Sequence, residues 1–216
     1  MPWRPSLTIW TVVVGVLSLG NADAGTVAPP DPGTLTSIVE SSPTLAPFQH
    51  VRFCLRYPAD CKSNSEQTDR IELNLQTMQL LDRVNRHVNL SITPKVKDYG
   101  GDLEDSWTIA PDKGDCNDYA VTKRHALLDC GLPSGALRLS VIKTASGIGH
   151  LVLVVATTNG DVVLDNLTAA IRPWQTTEYQ WLKIQSASDP RFWNEIKSPG
   201  IGPTSQAGGK LRVAGR

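Results

Sequence analysis

The stretch KGDCNDYAVTKRHALLDCG, residues 113–131, sets a cysteine between two aspartates where a helix should begin. Asp115 stands at the N-cap position, its carboxylate able to accept backbone N–H groups, and Asp118 three residues later completes an arrangement like a capping box. Ala120, Val121, Leu127 and Leu128 form pairs seven apart, as a buried helical stripe requires, and Gly131 before Pro133 marks the stop. The acids serve the helix, and Cys116 falls on its first turn. There the helix dipole favours a thiolate by only about 0.3–1 kcal/mol, too little for strong activation. A nearby histidine is needed, and the rest of the chain must supply it.

The sequence holds four histidines. His125 lies nine positions along the same helix, half a revolution round and roughly 13 Å up the axis, out of reach of the thiol. His50 sits in the N-terminal approach, and His87 falls on an earlier amphipathic helix. His150, in SGIGHLVLVV, follows glycines at the opening of a strand, where a side chain can project from a sheet end. It is the expected base. Asp165, in VVLDN, is an acid inside an apolar run and the expected third member; Asp161, directly after Asn159-Gly160, reads as turn chemistry. One register argument opposes this pairing. With Asn159-Gly160 at the centre of a two-residue hairpin, Asp165 would face Val154, about 13 Å from His150. A turn centred nearer Thr157-Thr158, or a bulged longer loop, is therefore expected.

LRLSVIK (137–143), HLVLVVAT (150–157) and DVVLDNL (161–167) read as strands. Ile71, Leu75, Met78, Leu81, Val84 and Val88 place a helix within Ser65 to Leu90, so helices come first and strands second, the signature of an α+β domain. Residues 91–115 read as a loop, with Trp107 as a core plug, or else a wall of the site.

The N-terminus carries Arg4, an apolar run from Leu7 to Leu19 and Ala22-Asp23-Ala24, so residues 1–24 are expected to be a signal peptide that is removed, leaving no stable membrane anchor. A periplasmic or secreted location follows. Residues 25–47 are expected to form a flexible arm, 48–197 the folded domain and 198–216 a disordered tail. In an oxidising compartment Cys54 and Cys61 could close a small disulfide loop, the alternative being two buried free thiols. Cys116 and Cys130 are too far apart on one helix to pair, and Cys130 reads as a small buried hydrophobe. Lys plus Arg number 21 and Asp plus Glu 21, so no net field steers the chain to nucleic acid. The absence of C-x-x-C and of a second histidine near His150 argues against zinc.

GDCNDYA, LLDCGLP, GHLVLVV and VLDNL, in that order, resemble the bacterial transglutaminase-like cysteine peptidases, the group that includes the LapG periplasmic proteases. The resemblance covers roughly residues 48–195. It implies a papain-like or transglutaminase-like core with helices packed on an antiparallel sheet, Cys116 as nucleophile, His150 as base and acid, and Asp165 as the orienting carboxylate. It further implies a protein substrate, a surface or periplasmic protein. LapG-type enzymes are similar in using calcium held by acids beside the cysteine. Asp115 matches one such position, but Asn117 stands where they carry a glutamate; a lost charge weakens a hard-cation site, so no cofactor is expected and calcium dependence is doubted. Acyl transfer to an amine on the same three residues, or a non-catalytic periplasmic binding or scaffold protein, are the alternative readings.

Overall fold

The structure is a computed structural model and describes residues 36–63, 68–95 and 106–197. The signal peptide and the tail expected from the sequence lie outside them. The first strand, β1 (Glu40–Thr44), is followed by α1 (Phe48–Arg56), α2 (Leu75–Ser91), the short β2 (Thr93–Pro94) and β3 (Lys113–Gly114), and α3 (Cys116–Asp129). The second half is β4 (Leu137–Lys143), β5 (Gly149–Thr157), β6 (Gly160–Leu164), β7 (Arg172–Pro173), β8 (Gln180–Gln185) and β9 (Trp193–Ile196). Seven strands form one sheet in the order β1-β9-β8-β4-β5-β6-β7, with every neighbouring pair antiparallel. This is the expected α+β architecture of helices on an antiparallel sheet.

The period of two along β5 divides the core. Leu151, Leu153 and Val155 join the cluster shared with α2 and α3, which holds Leu81, Val88, Tyr119, Ala120 and Leu127. Val152 and Val154 face a second cluster with Ile142, Trp174, Trp181 and Ile184. α3 packs on β4 and β5 and against α2. It is buried almost all round its first three turns, including Lys123 and Arg124. A central helix needs no single apolar stripe, which is why its hydrophobic pattern is faint. Arg124 is satisfied by the carbonyl oxygens of Leu137 (2.8 Å) and Asp60. His125 pairs with Asp60 at 3.0 Å, away from Cys116. Gly131, at φ 84°, ends α3 in the left-handed conformation a C-terminal glycine allows.

Three expectations need correction. The early helix begins at Leu75, not near Ser65: the Asn74 side chain accepts the Thr77 N–H at 2.9 Å and caps it there, while Ile71 bridges to Thr157. Residues 40–44, assigned to a loose arm, form β1 and pair with β9, held by Glu40 on buried Arg138. Cys130 is exposed, because it occupies the C-cap of α3 beyond the buried turns.

Cys54 and Cys61 are joined in a disulfide between α1 and the 3-10 turn Pro58–Cys61. Replacing both by serine should cost about 2.5 kcal/mol in the chain-entropy account of a loop this short. A guanidinium titration read by tryptophan fluorescence should show the unfolding free energy fall by that amount and the midpoint fall with it; an unmoved midpoint would mean the bridge does not constrain the unfolded chain.

Candidate active site

The turn before α3 is built as the sequence suggested. Asp115 Oδ1 accepts the Asn117 N–H at 2.8 Å, and Asp118 Oδ2 accepts the Asp115 N–H at 2.9 Å, closing a capping box. Asp118 Oδ1 also accepts the Thr108 N–H at 2.8 Å, fastening the incoming loop. Gly114 makes room for this: a Cβ there would lie 2.7 Å from the Asp118 side chain. Cys116 is the first residue of the helix and partly exposed, its sulfur 4.0 Å from Asn117 Oδ1.

His150 opens β5 and is buried. It shares its parity with Val152 and Val154, but at the end of its strand it meets side chains from both layers of the domain. Its Nε2 donates to Asp165 Oδ1 at 2.8 Å, and Cys116 lies near enough to bear on its charge. Burial pulls the His150 pKa down, yet the bonds with Asp165 and Cys116 outweigh it and carry the imidazole up to about 9. Asp165 is held below the usual carboxylate range: burial pushes it up, but the bond from His150, the Leu167 N–H and the Tyr179 hydroxyl prevail. The three residues singled out from the sequence are thus brought together, and His50, His125 and His87 are not part of the group.

The hairpin explains how Asp165 arrives. Thr157 pairs with Gly160 and Leu153 with Leu164 in an unbroken register, so the turn is centred on Thr158 and Asn159, one residue earlier than Asn159-Gly160. Thr157 Oγ1 accepts the Asn159 N–H at 3.2 Å, and the positive φ falls on Gly160, at 116°. The shift sets Asp165 opposite Val152 rather than Val154. It lies one residue past the end of β6, on the diagonal within reach of a long side chain from His150.

Several participants carry no local sequence signal. Tyr179 donates its hydroxyl to Asp165 Oδ2 and sets its ring edge-on to His150, centroids 6.2 Å apart. From α2, Asn89 Nδ2 donates to the Asp165 carbonyl at 2.9 Å and Asn85 Nδ2 to that of Ala169 at 3.1 Å, clamping the loop after β6. Lys123, two turns along α3 from Cys116, is buried near Asp165; burial lowers its ammonium to about 7 against that carboxylate's opposing pull. Asp161, expected to serve a turn, is wholly buried and accepts from the Ile38 N–H at 2.8 Å and from Arg138 at 3.2 Å, so it docks the N-terminal segment on the sheet. Trp107 is 4% exposed and packs on His50 and Phe53 as a core plug.

Among the described residues, one group of histidine, cysteine or acidic side chains is compact enough for a metal ion: His50, Cys54 and Cys61. Its sulfurs are bonded to each other, and His50 Nδ1 accepts the Trp193 indole N–H at 3.2 Å, so it lacks free thiolate ligands. Burial, aided by Arg124, depresses His50 to about 4, as befits a neutral core histidine.

Helices on an antiparallel sheet, with a cysteine at a helix start facing a histidine bound to a carboxylate, define the papain-like and transglutaminase-like class. The chain belongs to the bacterial transglutaminase-like cysteine proteinases, whose family pattern matches residues 40–200. It is therefore a cysteine peptidase, with proteins as its substrates. Among solved structures it is similar to calcium-bound Legionella pneumophila LapG, with 22% identity over 62% of this chain and 75% of that one, and a TM-score of 0.49. Legionella pneumophila LapG is matched again at 20% identity over 66% and 77% of the two chains, TM-score 0.46. An EGTA-treated form is matched at 20% over 65% and 75%, TM-score 0.45. A comparison with curated proteins gives no match. The expectation of no cofactor, with calcium dependence doubted, is corrected: LapG has been solved calcium-bound and after EGTA treatment. Among the described residues no helix is long and apolar enough to cross a membrane.

Proposed function

We propose that the chain is an exported peptidase that cleaves a peptide bond through an acyl-thiolate intermediate, with Cys116 as nucleophile, His150 as proton carrier and Asp165 as its orienting partner. The observation that carries this reading is the 2.8 Å bond from His150 Nε2 to Asp165 Oδ1, with Cys116 in contact with the same imidazole. With Nε2 committed to Asp165, Nδ1 is left for the thiol. A protonated His150 stands beside Cys116, the pairing that a cysteine nucleophile requires. The sulfur attacks the carbonyl carbon, and the negative charge that forms on its oxygen meets the N–H of Cys116. That N–H lies beside the sulfur, whereas the Asn117 N–H is spent on Asp115. As the C–N bond breaks, His150 gives its proton to the leaving amine; it then takes one from water, which attacks the thioester and frees the acid and the thiol.

Export is supported by the disulfide, which persists in an oxidising compartment such as the periplasm or the exterior. A surface or periplasmic protein is the proposed substrate. Activity profiling on exported proteins of the host, wild type beside Cys116→Ala, tests the reading.

Asp115, Asn117 and Asp118 bring two carboxylates and an amide oxygen to one helix turn, and each capping bond leaves its oxygen a further lone pair. An all-oxygen set fits a hard cation, and these are the residues that would hold calcium. Bound there, it would add positive charge beside the thiol. Calcium at a hundredfold excess over its dissociation constant should stabilise the fold by about 2.7 kcal/mol, and EGTA should reverse it. Calorimetry of the wild type and Asp115→Asn measures this; an equal response in both would place the ion elsewhere.

A further inference from the structure

We propose that Tyr179 is a positioning residue of this site, its hydroxyl sharing the charge of Asp165 and holding the plane of its carboxylate toward His150. The inference rests on the roles given above to Cys116, His150 and Asp165. Asp165 Oδ1 accepts from His150 Nε2 at 2.8 Å and from the Leu167 N–H at 3.0 Å, while Oδ2 accepts from the Tyr179 hydroxyl. Twisting the carboxylate out of its plane would strain all of these bonds together, so the tyrosine helps hold the orientation in which Asp165 receives the imidazole.

The ring is itself held. It stands edge-on to His150 at 65°, tilts against Trp181 at 6.4 Å, and carries the Arg172 guanidinium 5.9 Å from its centroid. On its outer side it lines a cleft of about 400 Å³ with Leu167, Arg172 and Glu178, so it separates that cleft from the buried carboxylate. Burial and then the Asp165 carboxylate push the phenol up to about 12, so it stays a proton donor throughout the working range.

The consequence for His150 follows from the charges around it. Cys116 and Lys123 face the pair from α3, Asp165 from the loop after β6, Tyr179 from the segment before β8 and, behind the tyrosine, Arg172 from β7. A phenol bonded to Asp165 draws charge off it. Without that bond more negative charge falls on His150, which becomes a stronger base and a poorer acid for the leaving amine, although proton transfer works best when the pKa lies near the working pH.

The test is Tyr179→Phe in the full chain, with the His150 ring titrated by NMR. The expected result is a His150 midpoint about half a unit or more above that of the wild type, with cleavage of host exported proteins slowed about tenfold. An unmoved midpoint would overturn the proposal, since a tyrosine that only packs would alter thermal stability and leave the titration alone. Should the phenylalanine variant fail to fold, incorporation of 3-fluorotyrosine supplies a stronger donor at the same place; the midpoint must then fall, and one that stays put is equally fatal. The peptidase reading fails by a different result, unchanged cleavage by Cys116→Ala, so the two are separable.

Discussion

Cys116→Ala should reduce proteolysis by a factor of about 10⁴ or more while the fold survives. The size of the loss follows from the proposed chemistry: with no sulfur there is no acyl intermediate, and what remains is binding and whatever the helix N–H groups offer a direct attack by water. The fold should survive because the Cys116 side chain is partly exposed and only borders the core, where alanine keeps the Cβ. The capping box that starts α3 belongs to Asp115 and Asp118 and is untouched. Mass spectrometry of cleaved exported proteins, with thermal unfolding alongside, measures both halves of the statement. If the variant cut the same bonds at the same rate, the assignment of the nucleophile would be wrong.

Asp165→Asn is expected to cost nearly as much, about 10³- to 10⁴-fold in turnover, though it is close in size to the original. An amide can present its NH₂ to His150 Nε2, which leaves that nitrogen unprotonated and places the proton on the nitrogen that should face Cys116. The same change has a signature in stability. His150 is raised from the ordinary 6.5 to about 9, so the folded state holds its proton more tightly than the unfolded chain does. That contribution is fully present below pH 6.5 and is lost as pH rises through about 9. Wild-type thermal stability should therefore decline between pH 7 and 9.5, and the decline should shrink in Asp165→Asn. Parallel curves for the two proteins across that window would remove the ion pair from the account.

The parts of this design that are local in sequence could be read there. The capped start of α3, its stop at Gly131 and the alternation in β5 each depend on residues a few positions apart. His150 and Asp165 could be chosen because a histidine after glycines at a strand opening and an acid in an apolar run are both unusual. Their pairing could not be derived, since it turned on whether the hairpin centred on Asn159-Gly160 or one residue earlier. That was decided by the Thr157 hydroxyl accepting the Asn159 N–H. Tyr179, Asn85 and Asn89 escaped because a lone tyrosine or asparagine has no pattern until the fold brings it to Asp165. Asp161 was misread for the same reason: beside a turn it looks like turn chemistry, and its partners Ile38 and Arg138 are distant in the chain. The polar strand ESSPT shows no alternation of burial, being an edge strand largely open to water, so only its partner β9 identifies it.

The position of that edge strand governs when the domain can finish assembling. In the backbone ladder β1 pairs only with β9, and β9 reaches the middle strands only through β8, so the earliest strand waits for the two latest. A chain threading outward from its N-terminus would hold residues 40–44 idle until residues 193–196 emerged, with the loop between them to be closed in a single late step. Completion of the sheet thus waits for the segment through residue 196, and the rim beside β8 stays open until then.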